Sequence, residues 1–370
     1  MKIINISLIT ALTVGSLVAG GDIEKVETEV VEIEKVVEPS KTTVGGNFKI
    51  YNYTNDSVDF FDKESSSTAT AVTLDVSHQL IEGVTANFSV LGYTDLGDSA
   101  GLIKMEGQST GAFFNVANLT ATYADTTFIG GRQTLDTPMI GSFDWLLAPS
   151  GFEAYTLVNK SVNNLTLVAS FVDKLRANNS GEDFAKLDGD NFTFGATYSD
   201  AFSASVWYYN VDAMNYTEIY ADAGYDYSGV KVEGQVVSTD YDDDGEDSTV
   251  YGLKVSGGFS NVNLSAAYAS VTDREAGMVE MDSIYTSSWN TFASQVISDS
   301  YKLEAGTEFG GFSATASYAD YDTANEVDVI LAYAFNDDFS MDAIYTNTEY
   351  DTTSDEGAEG ALELIATYKF

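Results

Sequence analysis

The chain is predicted to be an all-β protein, a transmembrane antiparallel up-and-down β-barrel of about eighteen strands, with sixteen as the alternative. Three observations predict it. Apolar residues alternate with small or polar ones from about Thr43 to the end of the chain. The connections between these segments alternate between short and long. Aromatic residues flank the short connections on the apolar register.

Lys2 precedes an apolar run over 6–19, and small residues follow at Ala19, Gly20 and Gly21. A positive start, a short apolar run and small residues read as an export signal over 1–20. The run is too short for a spanning helix, which needs roughly 20 apolar residues. Residues 21–42 form an acidic segment. In it Ile23, Val26, Val30, Ile33 and Val37 are spaced 3, 4, 3, 4 before Pro39. So short a heptad stripe favours a solvated, weakly helical periplasmic linker, with a docking or self-associating helix as the alternative.

Residues 43–370 make the barrel. Phe192, Phe194, Ala196 and Tyr198 alternate with Thr193, Gly195 and Thr197. Val262, Leu264, Ala266 and Tyr268 repeat the pattern, as do Phe312, Ala314, Ala316 and Tyr318, and Val327, Val329, Leu331, Tyr333 and Phe335. The apolar rows are expected to face lipid and the alternate rows a wet lumen. Tyr198 and Phe202, Phe309 and Phe312, and Phe335 and Phe339 bracket short turns. A soluble sandwich would bury such rings at mid-strand, so this placement favours a membrane girdle. Longer connections are expected near 55–68, 95–116, 133–151, 173–190, 241–248, 271–298 and 350–357. No segment after the first is long and apolar enough for a spanning helix, so any crossing is by a closed barrel. Eighteen strands enclose an aqueous lumen.

The last strand carries Leu362, Leu364, Ala366, Tyr368 and Phe370 on one face and Glu363, Thr367 and Lys369 on the other. Tyr368 and the terminal Phe370 resemble the signal that outer-membrane barrels present to their assembly machinery.

Composition excludes other classes. There are 57 acidic and 17 basic residues, a formal charge of −40, and nucleic-acid binding needs the opposite. Disorder is argued against by aromatics at 13% of the chain. Without cysteine there is no disulfide scaffold, thiolate zinc site or thiol catalysis. His78 is the only histidine, which disfavours a Ser-His-Asp triad or a histidine metal site, and it is read as a lumen residue. No enzyme activity and no cofactor are expected.

The most informative internal stretch runs through Gly131-Arg132-Gln133 and Asp136-Thr137-Pro138. It continues past Asp144-Trp145 to Pro149, Phe152 and Glu153. Over about 25 residues it resembles the OprD-type and major-outer-membrane-protein porins of Gram-negative bacteria. Ser150-Gly151 stands after Pro149 where that family usually has Asn. The resemblance implies an outer-membrane diffusion channel whose third outer loop folds into the lumen. It places Arg132 on the wall at the constriction, with Asp136, Asp144 and Glu153 lining or supporting the loop. Salt bridges that merely hold the loop are the competing reading for each of these charges.

Lys231, Glu233, Lys302, Glu304 and Glu308 fall on lumen registers, and the acidic excess suggests cation preference. Asp240, Asp242 and Asp244, before Gly245, match the start of a calcium loop, but Tyr251 stands where its Glu belongs. A solvated acidic loop is the preferred reading there, with loose divalent-ion binding as the alternative. Expected partners are outer-membrane lipid and lipopolysaccharide, the barrel assembly machinery, and small solutes and ions. A homotrimer is one candidate assembly. Two rivals to a general porin stand: a substrate-selective channel for small organic solutes, and a structural or adhesive barrel with cation-binding outer loops.

Overall fold

The computed structural model describes residues 41–97, 105, 108–350 and 359–370. The expected export signal and the acidic segment, apart from 41–42, lie outside the described residues. The first strands are β1 (Thr42–Asn55), β2 (Ser66–Ile81), β3 (Val84–Asp95), β4 (Thr110–Tyr123), β5 (Thr126–Gln133), β6 (Gly151–Val162) and β7 (Leu165–Arg176). Then follow β8 (Ala185–Lys186), β9 (Asn191–Ser199), β10 (Ser203–Val211), β11 (Tyr216–Tyr227), β12 (Val230–Tyr241) and β13 (Ser248–Phe259). The last are β14 (Val262–Thr272), β15 (Asp299–Phe309), β16 (Phe312–Asp320), β17 (Ala324–Ala334), β18 (Phe339–Tyr350) and β19 (Glu359–Lys369).

Successive strands pair antiparallel, and β1 pairs with β19 to close the ring. The two-residue β8 pairs only with β7, above the end of β9. The closed wall therefore has eighteen strands. Closure leaves no sheet edge, the condition for a sheet to sit in lipid. Both ends of the wall lie on the short-turn side, where Asn47 faces Lys369. Two further outer connections, at 212–215 and 321–323, are short and were not among the longer ones expected from the sequence.

Register fixes which side each row faces. Phe194 lies opposite Tyr208, Leu264 opposite Ala305, and Leu331 opposite Ala314 and Ala343, all on the outside. Phe194 and Leu264 are about half exposed, at 52% and 51%. An apolar belt of this extent needs lipid as its solvent. At the turn end, Tyr198 and Phe202 lie 4.8 Å apart and Phe335 and Phe339 5.0 Å apart, ring centre to ring centre. Phe309, Phe312, Tyr368 and Phe370 are exposed at the same end, completing a girdle of rings. The tight turn at Gly310-Gly311 has φ of +56° and +83°, the mirror-image geometry that matches strand twist and suits glycine.

The inside is filled in its outer half. One apolar cluster joins Leu135, Met139 and Ile140 of the loop after β5 to Trp207, Tyr209, Tyr220 and Val237 of the wall and to Val279 and Ile284 of the loop after β14. A second joins Leu146, Leu147 and Ala148 to Tyr51, Ala69 and Leu91 on the opposite wall. The loop after β5, the third outer loop, therefore crosses the lumen.

Candidate functional site

The third loop leaves the wall early. β5 has 8 residues where β4 has 14 and β6 has 12. Gly131, at φ +121°, lies so close to the Ala117 carbonyl of β4 that a Cβ there would come within 2.4 Å of it. Only glycine lets the strand lie this tightly before it turns inward.

The gap left above β5 is closed by Arg176, which is 1% exposed. Its Nε and Nη2 donate to Asn115 Oδ1 at 3.3 and 3.1 Å, and its Nη1 donates to the Ala177 and Ser180 carbonyls. Nη2 also donates to the Pro149 carbonyl of the third loop. Its guanidinium lies 4.1 Å from the centre of the Phe113 ring. Asn115 reaches this gap because it is the extra residue of a bulge between β3 and β4.

Inside the lumen the third loop folds on itself, with Asp136 bridged to Gly141. Thr137 Oγ1 donates to the Ile140 carbonyl at 2.7 Å. The Asp136 carboxyl is raised above its ordinary value by burial. Further along, Asp144 faces Lys49 of β1 at 3.7 Å with its side chain 59% exposed. Beside them a cavity of about 140 Å³ lies between loop and wall, lined by Asn47, Thr73, Ser89, Asn115 and Pro149.

A second loop folds inward, between β14 and β15. It lies against the third loop through a bridge between Ile140 and Val279, and through the rings of Phe143 and Phe292, 5.4 Å apart. Asp282 organises its turn. The buried carboxylate accepts from Ser287 Oγ at 2.6 Å, from the Ser294 amide at 2.9 Å and from the Ile284 amide at 3.2 Å. Burial raises the pKa of both Asp282 and Glu280. The loop tip docks on the far wall. The Asn290 amide donates to Glu326 Oε1 at 2.7 Å, Thr291 Oγ1 to Glu326 Oε2 at 2.6 Å, and the Trp289 amide to Asp328 Oδ2 at 3.3 Å.

The two loops meet the wall at one carboxylate, Glu363 of β19, which is 1% exposed. Its Oε1 accepts the indole Nε1–H of Trp145 at 3.0 Å and that of Trp289 at 2.8 Å. Its Oε2 accepts the Tyr51 hydroxyl. The sequence pattern put Glu363 on the inner face but showed nothing of these partners, which stand 74, 218 and 312 positions away.

The four residues carried over from the resemblance separate. Asp136 and Asp144 belong to the loop inside the lumen. Arg132 and Glu153 instead lie opposite each other and opposite Ala117, on the row of Phe88, Phe128 and Tyr155. That row faces outward, which corrects the expected placement of these two on the inner side. Arg132 Nε lies 3.6 Å from Glu153, its Nη2 3.1 Å from Asp183, and its guanidinium 4.2 Å from the centre of the Phe184 ring. Lys174 donates to Glu153 at 2.9 Å. These charges stand one rung beyond the outward pair Tyr155 and Phe171, toward the outer rim. A charge nearer mid-membrane would cost roughly 2–4 kcal/mol.

Lys231, Glu233, Lys302, Glu304 and Glu308 all lie on inward rows. Lys231 Nζ donates to Glu233 at 2.5 Å, and Glu233 lies opposite Lys254, a lumen charge that the sequence reading missed. Lys302 lies 3.7 Å from Glu304 and donates to the Ser287 carbonyl at 2.8 Å, tethering the second inserted loop. Glu308 lies opposite Ser313. His78 falls on an outward row at the turn end, where its Nδ1 lies 2.7 Å from Thr42 Oγ1, so it is not a lumen residue.

Asp240, Asp242 and Asp244 do not converge. Their neighbour Asp243 accepts two bonds from Arg274 Nη1, at 2.9 and 3.0 Å, which lower its pKa. Arg274 also lies over the Tyr241 ring at 3.6 Å. Among the described residues no three or more His, Cys, Asp or Glu side chains gather closely enough to hold a metal.

No family model and no curated protein matches the chain. Solved structures do match its fold. The outer membrane protein OpdK of Pseudomonas aeruginosa aligns at a TM-score of 0.76 and 14% identity, over 89% of this chain and 98% of that one. OccAB4 of Acinetobacter baumannii gives 0.75 and 17%, over 91% and 100%. A structure of OpdK with vanillate gives 0.74 and 15%, over 88% and 98%. The fold is that of the OprD/Occ porins.

Proposed function

We propose that the chain is an OprD/Occ-type outer-membrane channel for passive diffusion of small hydrophilic solutes and ions. The observation that carries this reading is a closed eighteen-strand barrel, apolar outside and charged inside, with the third outer loop folded across its lumen. No bond is made or broken on the solute. The fold supplies a shaped, charged passage, and selectivity comes from what lines it.

Cation preference is part of the proposal. Asp136 and Asp144 are both exposed charges on the inserted loop, and Lys49, the partner of Asp144, is the more buried of that pair at 19% exposure. Arg132 and Glu153 are proposed to brace the outer wall rather than sort ions. Solute selectivity beyond charge is favoured by the second inserted loop, which leaves less of the lumen open than the third loop alone. The structure of OpdK with vanillate shows that a small organic molecule can accompany this fold.

The setting follows from the surface. The chain is proposed to reside in a Gram-negative outer membrane, in contact with lipid and lipopolysaccharide. Tyr368 and Phe370 are proposed to present its last strand to the assembly machinery, and a homotrimer is a proposed assembly.

Swelling of proteoliposomes tests the function. Entry of small neutral and cationic solutes, ahead of anionic solutes of equal size, is expected. Liposomes that hold folded barrel and admit none of them would contradict it.

A further inference from the structure

We infer that Glu363 is the latch that sets the aperture: its one carboxylate holds both inserted loops against the wall. This rests on the channel reading and names the residue that positions the constriction.

The argument begins with burial. A carboxylate at 1% exposure on the inner wall would be costly unless its oxygens were occupied by donors. Here three donors occupy it, and two of them belong to loops rather than wall. The chain has 3 tryptophans in all, and two of their indole N–H groups converge on the same oxygen. Tryptophan is the long arm such a latch needs. Its N–H donates at the tip of a rigid ring, so the contact with the wall is made by an uncharged donor.

The rings also align the loops with each other. Trp145 stacks on Phe143 at 6.3 Å, Phe143 meets Phe292 at 5.4 Å, and Tyr53 of β1 meets the edge of Trp145 at 6.4 Å. Releasing the Trp145 indole loosens the wall end of this chain of rings, and releasing that of Trp289 acts on the other end only through the loop that carries Phe292. Glu326 and Asp328 hold the backbone around Trp289 and the next residue of the second loop. Among the described residues, Glu363 is a wall side chain that bonds to both loops.

The experiment records single-channel currents of the refolded full chain and counts time in a large-conductance substate. Bonds to a charged acceptor are about twice as strong as neutral ones. Loss of one shifts an equilibrium by about tenfold, so W145F and W289F are each expected to raise large-substate occupancy by about that factor. E363A should raise it further, up to about a hundredfold. E363Q should fall between wild type and E363A, because its carbonyl still accepts the indoles. A second readout needs no current. In a W207F background, with excitation selective for tryptophan, only Trp145 and Trp289 emit, and E363A should shift their emission to the red and make it easier to quench with acrylamide.

Unchanged currents and unchanged quenching in a folded E363A barrel would overturn the latch. A wild-type barrel that does not conduct would instead overturn the channel reading. Quenching would then still decide the latch.

Discussion

Replacing Asp144 with Asn should weaken cation preference, and the size of the effect follows from the structure. The Asp144 carboxylate is 59% exposed in the lumen, and Lys49 stands 3.7 Å behind it. An ion passing about 6 Å from that carboxylate in water feels about 0.7 kcal/mol. At 0.1 M salt the Debye length is about 10 Å, and screening leaves roughly 0.4 kcal/mol, about a twofold factor. The cation loses that factor and the anion gains it, so the permeability ratio should fall about fourfold. At 1 M the Debye length is about 3 Å, and the same change should stay under about 1.5-fold. The assay is the reversal potential across a planar bilayer under a salt gradient, at both salt levels. A D144N channel with wild-type reversal potential at 0.1 M would refute the placement of Asp144 beside the ion path. A shift of equal size at both salt levels would refute its electrostatic origin.

Three further outcomes are expected. Gly195 gives its side-chain space to the Trp207 ring, where a Cβ would come within 2.2 Å. G195A should lower refolding yield on a heat-modifiability gel by an overpacking cost of roughly 1–3 kcal/mol, whereas G234A, with only a backbone oxygen at 3.8 Å, should refold normally. Arg176→Met should leave Asn115 and the Pro149 and Ser180 carbonyls without their donor at the wall gap. Roughly 1–3 kcal/mol should be lost for each buried acceptor left unpaired, read as a lower unfolding temperature on the same gel. The third concerns pH. Burial raises Asp136, Glu280 and Asp282 above their ordinary values of 3.8 and 4.5. An acid that binds its proton more tightly with the loops inserted loses insertion stability as pH rises from its ordinary value through its raised one, and regains it as pH falls. Large openings should therefore become rarer on going from neutral pH to about 4.5. Steady or more frequent openings at the lower pH would contradict this.

The parts of the fold legible in the sequence are those that lipid makes regular. Rows such as Phe192-Phe194-Ala196-Tyr198 and Val262-Leu264-Ala266-Tyr268 face outward as the period-two pattern indicates, because every outward position meets the same apolar solvent. The same pattern placed Glu233, Glu304 and Glu363 inward. It did not place Arg132: the resemblance put that residue at the constriction, whereas its register opposite Ala117 and Glu153 sets it outward on the row of Phe128. His78 was read as a lumen residue because it is polar, but Ser77 and Gln79 beside it are polar too, and the turn end imposes little contrast.

The candidate site was half legible. The third loop's inward course was implied by the Gly-Arg-Gln and Asp-Thr-Pro motifs. That of the loop after β14 was not, because it depends on contacts far away in the chain. Trp289 reaches Glu363 and Asn290 reaches Glu326, pairings with no local signature. A buried acceptor on the last strand and two isolated tryptophans in long loops were the available clue. Neither indicates the other until the wall is closed.

The most direct test of the central claim is single-channel conductance of the refolded protein in a planar bilayer. Stable, stepwise open currents are expected, from a lumen narrowed but not sealed by its two inserted loops. A heat-modifiable, correctly folded barrel that inserts and passes no current would contradict the account.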